Sequence, residues 1–191
     1  LKEALKNKGI LFTMIMFFLI QVCVMLLQPL ITMYVGQLMG QVNDEAVQMA
    51  GVIFSLAGIS GILAAPFWGK RGQRYGYVKT FCYITFGAGV VNLLQFFTTD
   101  VYQFAVVQFI YGLFLAGAIP NINANLAEVT DKSIRCKAFG LVTSAQMSGG
   151  FVGPLLGGAL GYFLPTKLVI ISTGIILISV AGYTYLKKVK A

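Results

Sequence analysis

Long apolar runs separated by short polar links set the pattern of this chain. Six runs, at about 10–35, 48–68, 78–98, 101–126, 138–163 and 166–186, are each long enough to cross a bilayer as a helix, which takes about 20 residues. They are too long for barrel strands and do not alternate apolar with polar residues, so a β-barrel is excluded. The short links make consecutive spans antiparallel hairpins. The pattern therefore predicts an all-α membrane protein with a six-helix bundle over 10–186. A polar stretch at 1–9 precedes it and a short tail at 187–191 follows.

Composition supports this reading. Of the 191 residues, 58% are hydrophobic and only 10% are charged, and the mean hydropathy is +0.82. A soluble domain carries about 25% charged residues. The net charge of +8 would suit nucleic acid if the cations shared one surface, but they cluster in the links. Threaded through six spans, 13 of the 14 lysines and arginines fall on one side, and only Lys167 falls on the other. By the positive-inside rule both termini are cytoplasmic. The outer links carry Asp44, Glu45 and Asp100 instead.

Three cysteines and no histidine give neither a disulfide framework nor a metal-ligand spacing, and no cofactor is expected. No nucleophile–base pair or phosphate loop appears, so an enzyme is not expected. The opening "LKEALKNKG" lacks the apolar stretch of a signal peptide and reads as the continuation of a longer chain.

The spans carry three features of their own. In "SGGFVGPLLGGALG" (148–161), Gly149, Gly153, Gly157 and Gly161 recur at four-residue steps. They form one stripe that lets a second helix approach closely, with Gln146 on the same side. Gly150 and Gly158 lie beside that stripe. Pro154 removes a helix hydrogen bond and favours a bend. In the first span, Phe17, Gln21, Met25, Gln28 and Thr32 share a face. Mixed aromatic, thioether and amide groups suit a cavity for varied amphipathic molecules, although helix–helix hydrogen bonding would use the same amides. In the fourth span, Val107, Tyr111, Phe114, Ala118, Asn121 and Asn125 lie on one side. The interiors of the spans contain no Asp, Glu, Lys, Arg or His. Glu128, at the end of the fourth, reads as an interfacial carboxylate.

The link "GKRGQRYGYVKT" (69–80) combines cations with Gly69, Gly72 and Gly76, which permit tight turning between helix ends. It resembles the loop between the second and third helices of each half of major facilitator superfamily transporters, Gly-x-x-x-Asp-Arg-x-Gly-Arg-Lys. Gly69, Arg74 and Gly76 match, Gln73 replaces the aspartate, and Lys79 stands in for the following cations. "SGGFVGPLLGG" is similar to the Gly-x-x-x-Gly-Pro-x-x-Gly-Gly motif of drug:proton antiporters at Gly149, Gly153, Pro154, Gly157 and Gly158. The fourth span resembles the family's fourth helix at Gly112 and Pro120, with Gln108 where arginine is often found. "LKNKGI" resembles the end of the central loop. The resemblance covers essentially the whole chain.

What the resemblance implies is one six-helix half, the C-terminal one, of a 6+6 bundle in the bacterial inner membrane. Function would be multidrug efflux by proton antiport through alternating access. The partners would be the lipid bilayer, an N-terminal half and small amphipathic or cationic substrates, not nucleic acid. The first and fourth helices would line the substrate path, giving Phe17, Gln21, Met25, Gln28, Thr32, Gln108, Tyr111, Phe114, Asn121 and Gln146 as cavity residues. The second and fifth would flank the other half, and the third and sixth would face lipid. A metabolite or sugar carrier of the same fold, a half that dimerises with itself, and a non-transporting membrane subunit are the alternatives.

Overall fold

The computed structural model describes residues 7–41 and 43–189. The expected end of a central linker therefore lies outside the described residues over 1–6, and the tail does so at 190–191. Seven α-helices form six spans. Helix α1 is Lys8–Met39 and α2 is Asp44–Tyr75. Helix α3, Tyr77–Leu94, tightens into a 3₁₀ turn at Gln95–Phe97. Helices α4 (Val101–Leu115) and α5 (Ala118–Val129) share the fourth span. Helix α6 is Arg135–Phe163, and α7, Thr166–Thr184, runs into a π-type turn at Tyr185–Val189.

The helix ends follow local chemistry. The side chains of Asn7, Asn43 and Asp100 accept hydrogen bonds from Gly9, Ala46 and Tyr102 N–H groups at 2.8, 3.1 and 2.9 Å, which satisfies donors that a helix N-terminus leaves open. Gly40 closes α1 with φ at 76°, a left-handed conformation that glycine adopts without steric cost.

Spans pair as the first with the fifth, the third with the sixth and the second with the fourth. Five spans are long and apolar enough to cross a membrane. The fifth, α6, is not among them, because glycines, serines and Gln146 occupy positions that large apolar side chains hold elsewhere. Its 29 residues lie along α1, so length and packing carry it through the bundle.

Three expectations are corrected. First, the 69–80 link is not a glycine-rich loop. Helix α2 continues to Tyr75, and Gly76 alone, with φ at 94°, turns the chain into α3. Gly69 and Gly72 are helical. Gly72 is buried because a methyl group there would strike the Asn121 side chain and reach within 2.8 Å of the Tyr77 ring. Second, the fourth span is broken. Gly117 N–H turns back to the Phe114 carbonyl at 3.2 Å, and Pro120, three residues on, has no N–H to continue the ladder.

Third, the glycine stripe meets a helix of this chain. A methyl group at Gly149 would lie 2.7 Å from the Phe18 carbonyl oxygen, and one at Gly153 would lie 2.7 Å from Met25 Cβ. At Gly157 it would strike the Leu26 carbonyl, and at Gly161 the Leu30 side chain. The stripe thus seats the fifth span on the first, where the expectation placed the other half. Gly158 has nothing within 4 Å of a methyl group, and Gly150 only the Gln21 side chain at 3.8 Å. Pro154, Phe151 and Leu155 are exposed, Pro154 beside Gln28 and Pro29 of α1 and Phe54 of α2, and the helix runs through Pro154 without a break.

The third and sixth spans pack on each other through Gly89 and Gly174. There Asn92 Nδ2 donates to Thr173 Oγ1 at 2.8 Å and to the Ile170 carbonyl at 3.2 Å. Each also presents an exposed apolar side, with Tyr83, Phe86 and Phe97 on one and Leu168 and Ile175 on the other.

Candidate functional site

Near the middle of α1, four spans part to leave a cavity of about 440 Å³. Helix α1 contributes Gln21, Met25 and Gln28, and α4 contributes Gln108, Tyr111 and Gly112. Gln146 reaches it from α6, and Phe54, Ala57, Gly58 and Gly61 form its wall on α2. Ala116 and Ile119 line it across the break in the fourth span.

Of the ten cavity residues read from sequence, Gln21, Met25, Gln28, Gln108, Tyr111 and Gln146 line this space. Four do not. Phe17 is buried at 2% exposure in a core cluster with Ile122 and Ala138. Thr32 is half-buried and away from the cavity. Phe114 fills the space beside Gly87 and stacks at a tilt on Trp68, centroids 5.8 Å apart. Asn121 is buried, and its Nδ2 donates to the Trp68 carbonyl at 3.2 Å and the Gly117 carbonyl at 2.8 Å. Asn121 therefore braces the helix break.

These four fail for a common reason. Residues four apart share a helix face only broadly, and a face about 100° wide can serve a core at one end and a cavity in the middle. The α2 wall was missed. Its signal is Ala57, Gly58 and Gly61, small residues that leave space at the wall, while Gly112 lets α4 approach Ala57 and Ser60. A methyl group at Gly112 would strike Ser60 Oγ and lie 2.9 Å from the Ala57 carbonyl.

The cavity is lined by neutral groups. Among the described residues that form it there is no lysine, arginine, aspartate or glutamate. Gln146 Nε2 donates to Gln21 Oε1 at 3.4 Å, a long contact between the fifth and first spans. Gln108 Oε1 accepts from Gln95 Nε2 at 2.8 Å, tying the cavity to the 3₁₀ turn that follows α3. The Tyr111 hydroxyl is buried with no hydrogen-bond partner. An unpaired hydroxyl in an apolar setting costs free energy, and this one is enclosed in a core cluster with Cys23, Ala88, Val91 and Leu177, away from the cavity space. The site can thus offer amide hydrogen bonds, a polarizable thioether and apolar walls. It holds no pair of groups for bond-making chemistry, and no cluster of metal-ligating side chains occurs among the described residues.

The family model described as "Major Facilitator Superfamily" matches residues 10–190, nearly the whole chain. The chain belongs to the major facilitator superfamily. The family is one of transporters, and the six-helix bundle is consistent with one half of the twelve-helix facilitator fold.

Among curated proteins, it is similar to multidrug resistance protein MdtG of Yersinia enterocolitica, 32% identical over 136 residues. The same identity over the same length holds for MdtG of two Escherichia coli strains, O1:K1 / APEC and K12 / DH10B. The match takes in 71% of this chain but only 32% of the Yersinia protein and 33% of the Escherichia ones. The matched stretch is thus about a third of the relatives' own length. The chain is a multi-pass facilitator-family membrane protein related to bacterial multidrug-resistance transporters.

Proposed function

We propose that this chain is the C-terminal half of a secondary active transporter that exports amphipathic or cationic drugs in exchange for protons. Alternating access is the mechanism, with this bundle rocking against an N-terminal six-helix half about a midplane site. The observation that carries the reading is the cavity at the middle of α1, walled by apolar side chains and edged by neutral amides. Such a surface accepts varied amphipathic molecules and fixes none by charge. The name multidrug resistance protein, borne by the relatives, fits a site of that kind.

Proton coupling needs a group in the membrane that changes charge between states. Because this cavity is neutral, the coupling carboxylate and the charge that would recognise a cationic drug belong to the N-terminal half. The exposed surface of α6, with Pro154, Phe151 and Gly158, is the side available to that half. The 69–80 segment, with Gln73, Arg74 and Lys79, lies at the cytoplasmic end. The membrane is the bacterial inner membrane, with both termini cytoplasmic.

Expression of the full-length protein in a drug-sensitive bacterial strain tests the proposal. Raised resistance and dye efflux that collapses with the proton gradient are expected. No change across a broad panel of lipophilic compounds overturns efflux, and accumulation of one hydrophilic solute in its place identifies a metabolite or sugar carrier.

A further inference from the structure

We infer that a groove between the first and sixth spans, separate from the central cavity, binds one anionic phospholipid from the membrane leaflet on the side of the termini. The groove encloses about 790 Å³ and shares no residue with the cavity. Its geometry comes from two matched stripes. Along α1, Lys8, Leu11, Ile15 and Leu19 follow at steps of three, four and four, which is one helix face. Along the sixth span, Ile176, Val180, Tyr183 and Lys187 follow at four, three and four. The two helices run in opposite directions, so Lys8 and Lys187 meet at one end, and Leu19 and Ile176 meet at the other.

Length points to the occupant. Each stripe covers eleven residue steps, or about 16 Å at 1.5 Å per residue. Half of a bilayer's hydrocarbon core is about 15 Å. The trough therefore runs from headgroup level to about the midplane, the depth of a single acyl chain. Leu11 and Ile15 are 44% and 47% exposed, so the apolar trough is open to such a chain.

Charge points the same way. Both lysines are exposed, and neither ammonium forms an ion pair with a carboxylate among the described residues. Lys187 Nζ donates to the Tyr183 hydroxyl at 2.7 Å and sits 5.1 Å from the centroid of its ring. That contact holds the ammonium over the mouth of the groove. Two cations above an apolar trough complement a phosphate diester above a hydrocarbon tail, and a zwitterionic headgroup gains less from them.

The test uses the full-length protein in nanodiscs of phosphatidylcholine with a minority of phosphatidylglycerol. Native mass spectrometry counts the lipids that stay bound. The wild type retains phosphatidylglycerol over phosphatidylcholine, and Lys8→Gln with Lys187→Gln reduces that preference on the order of tenfold. Ile15→Trp, which fills the trough, lowers retention while leaving both lysines in place. Wild-type retention by either variant overturns the inference. Soluble glycerol phosphate competing as well as phosphatidylglycerol also overturns it, because the groove would then bind an anion alone. Cysteines at Ile15 and Ile176 that cross-link to another part of the protein or to a second copy overturn it as well, by showing a protein cover.

Discussion

Trp68 Nε1 donates a hydrogen bond of 2.7 Å to the main-chain carbonyl of Leu113, joining the second span to the fourth just before the latter breaks. In a continuous helix that carbonyl would accept from Gly117 N–H, but Gly117 turns to Phe114 instead. The indole therefore satisfies an acceptor that the break leaves open. Asn121 does the reverse from the other side, donating to the Trp68 carbonyl. Trp68→Phe keeps the ring and removes the donor. It should lower unfolding stability by about 1–3 kcal/mol, read as a reduced melting temperature of the purified full-length protein in detergent. An unchanged melting temperature would show that the break needs no brace.

The contact between the first and fifth spans makes a position-specific prediction. Gly157→Ala puts a methyl group against the Leu26 carbonyl, and separating two packed backbones costs about 1–3 kcal/mol. Gly153→Leu should be worse and should suppress transport while leaving membrane insertion intact. Gly158→Ala meets open space and should match wild type. Thermal unfolding should place Gly158→Ala with wild type, Gly157→Ala below it and Gly153→Leu lowest; equal midpoints would remove the stripe from the packing.

Tyr111 separates structural from binding roles. Its hydroxyl has no partner, so Tyr111→Phe removes a buried polar group that nothing in the bundle satisfies. Stability should hold or rise by up to about 1 kcal/mol. Because the hydroxyl is enclosed in the core and not open to the cavity, KM for transported compounds should stay unchanged at equal expression. A several-fold rise in KM at unchanged stability would place the hydroxyl in the substrate path instead.

Gln21 and Gln28 line the cavity with amides. Gln21→Leu with Gln28→Leu should shift preference toward more apolar substrates, measured as the ratio of kcat/KM for a set of dyes. Identical kinetics for every dye would take both residues out of the substrate path. Phe17→Leu serves as a contrast: Phe17 packs in the core, so stability should fall while dye preference stays constant.

The proposed sidedness is testable at Cys136, which is exposed near the start of α6, whereas Cys23 and Cys82 are buried. A membrane-impermeant maleimide should label Cys136 in inside-out vesicles and leave it unlabelled in intact cells. Labelling in intact cells would invert the topology.

Much of this was written in the sequence. Apolar runs of bilayer length specify six spans, because an unsatisfied backbone in hydrocarbon leaves only helices and closed barrels. The Gly149–Gly161 periodicity required a close neighbour, since only a glycine face admits a backbone at that distance. Gln21, Gln28, Gln108, Gln146 and Tyr111 were legible as candidates because amides and a tyrosine in a membrane helix need either a partner or a cavity, and Met25 because it shares a face with Gln21 and Gln28.

What remained was relational. Periodicity says that a face packs, not against what. Thus only the assembled bundle revealed that Leu26 lies on Gly157, and that Phe17 and Asn121 turn from the cavity to the core and the helix break. The extension of α2 to Tyr75 was hidden by Gly69 and Gly72. Their poor intrinsic helix propensity is about 1 kcal/mol each, and tertiary packing against Asn121 and Tyr77 overrides it at Gly72. A chain composed for a membrane fixes which segments cross it. The pairing of those segments is a matter of which surfaces fit, and that exists only in three dimensions.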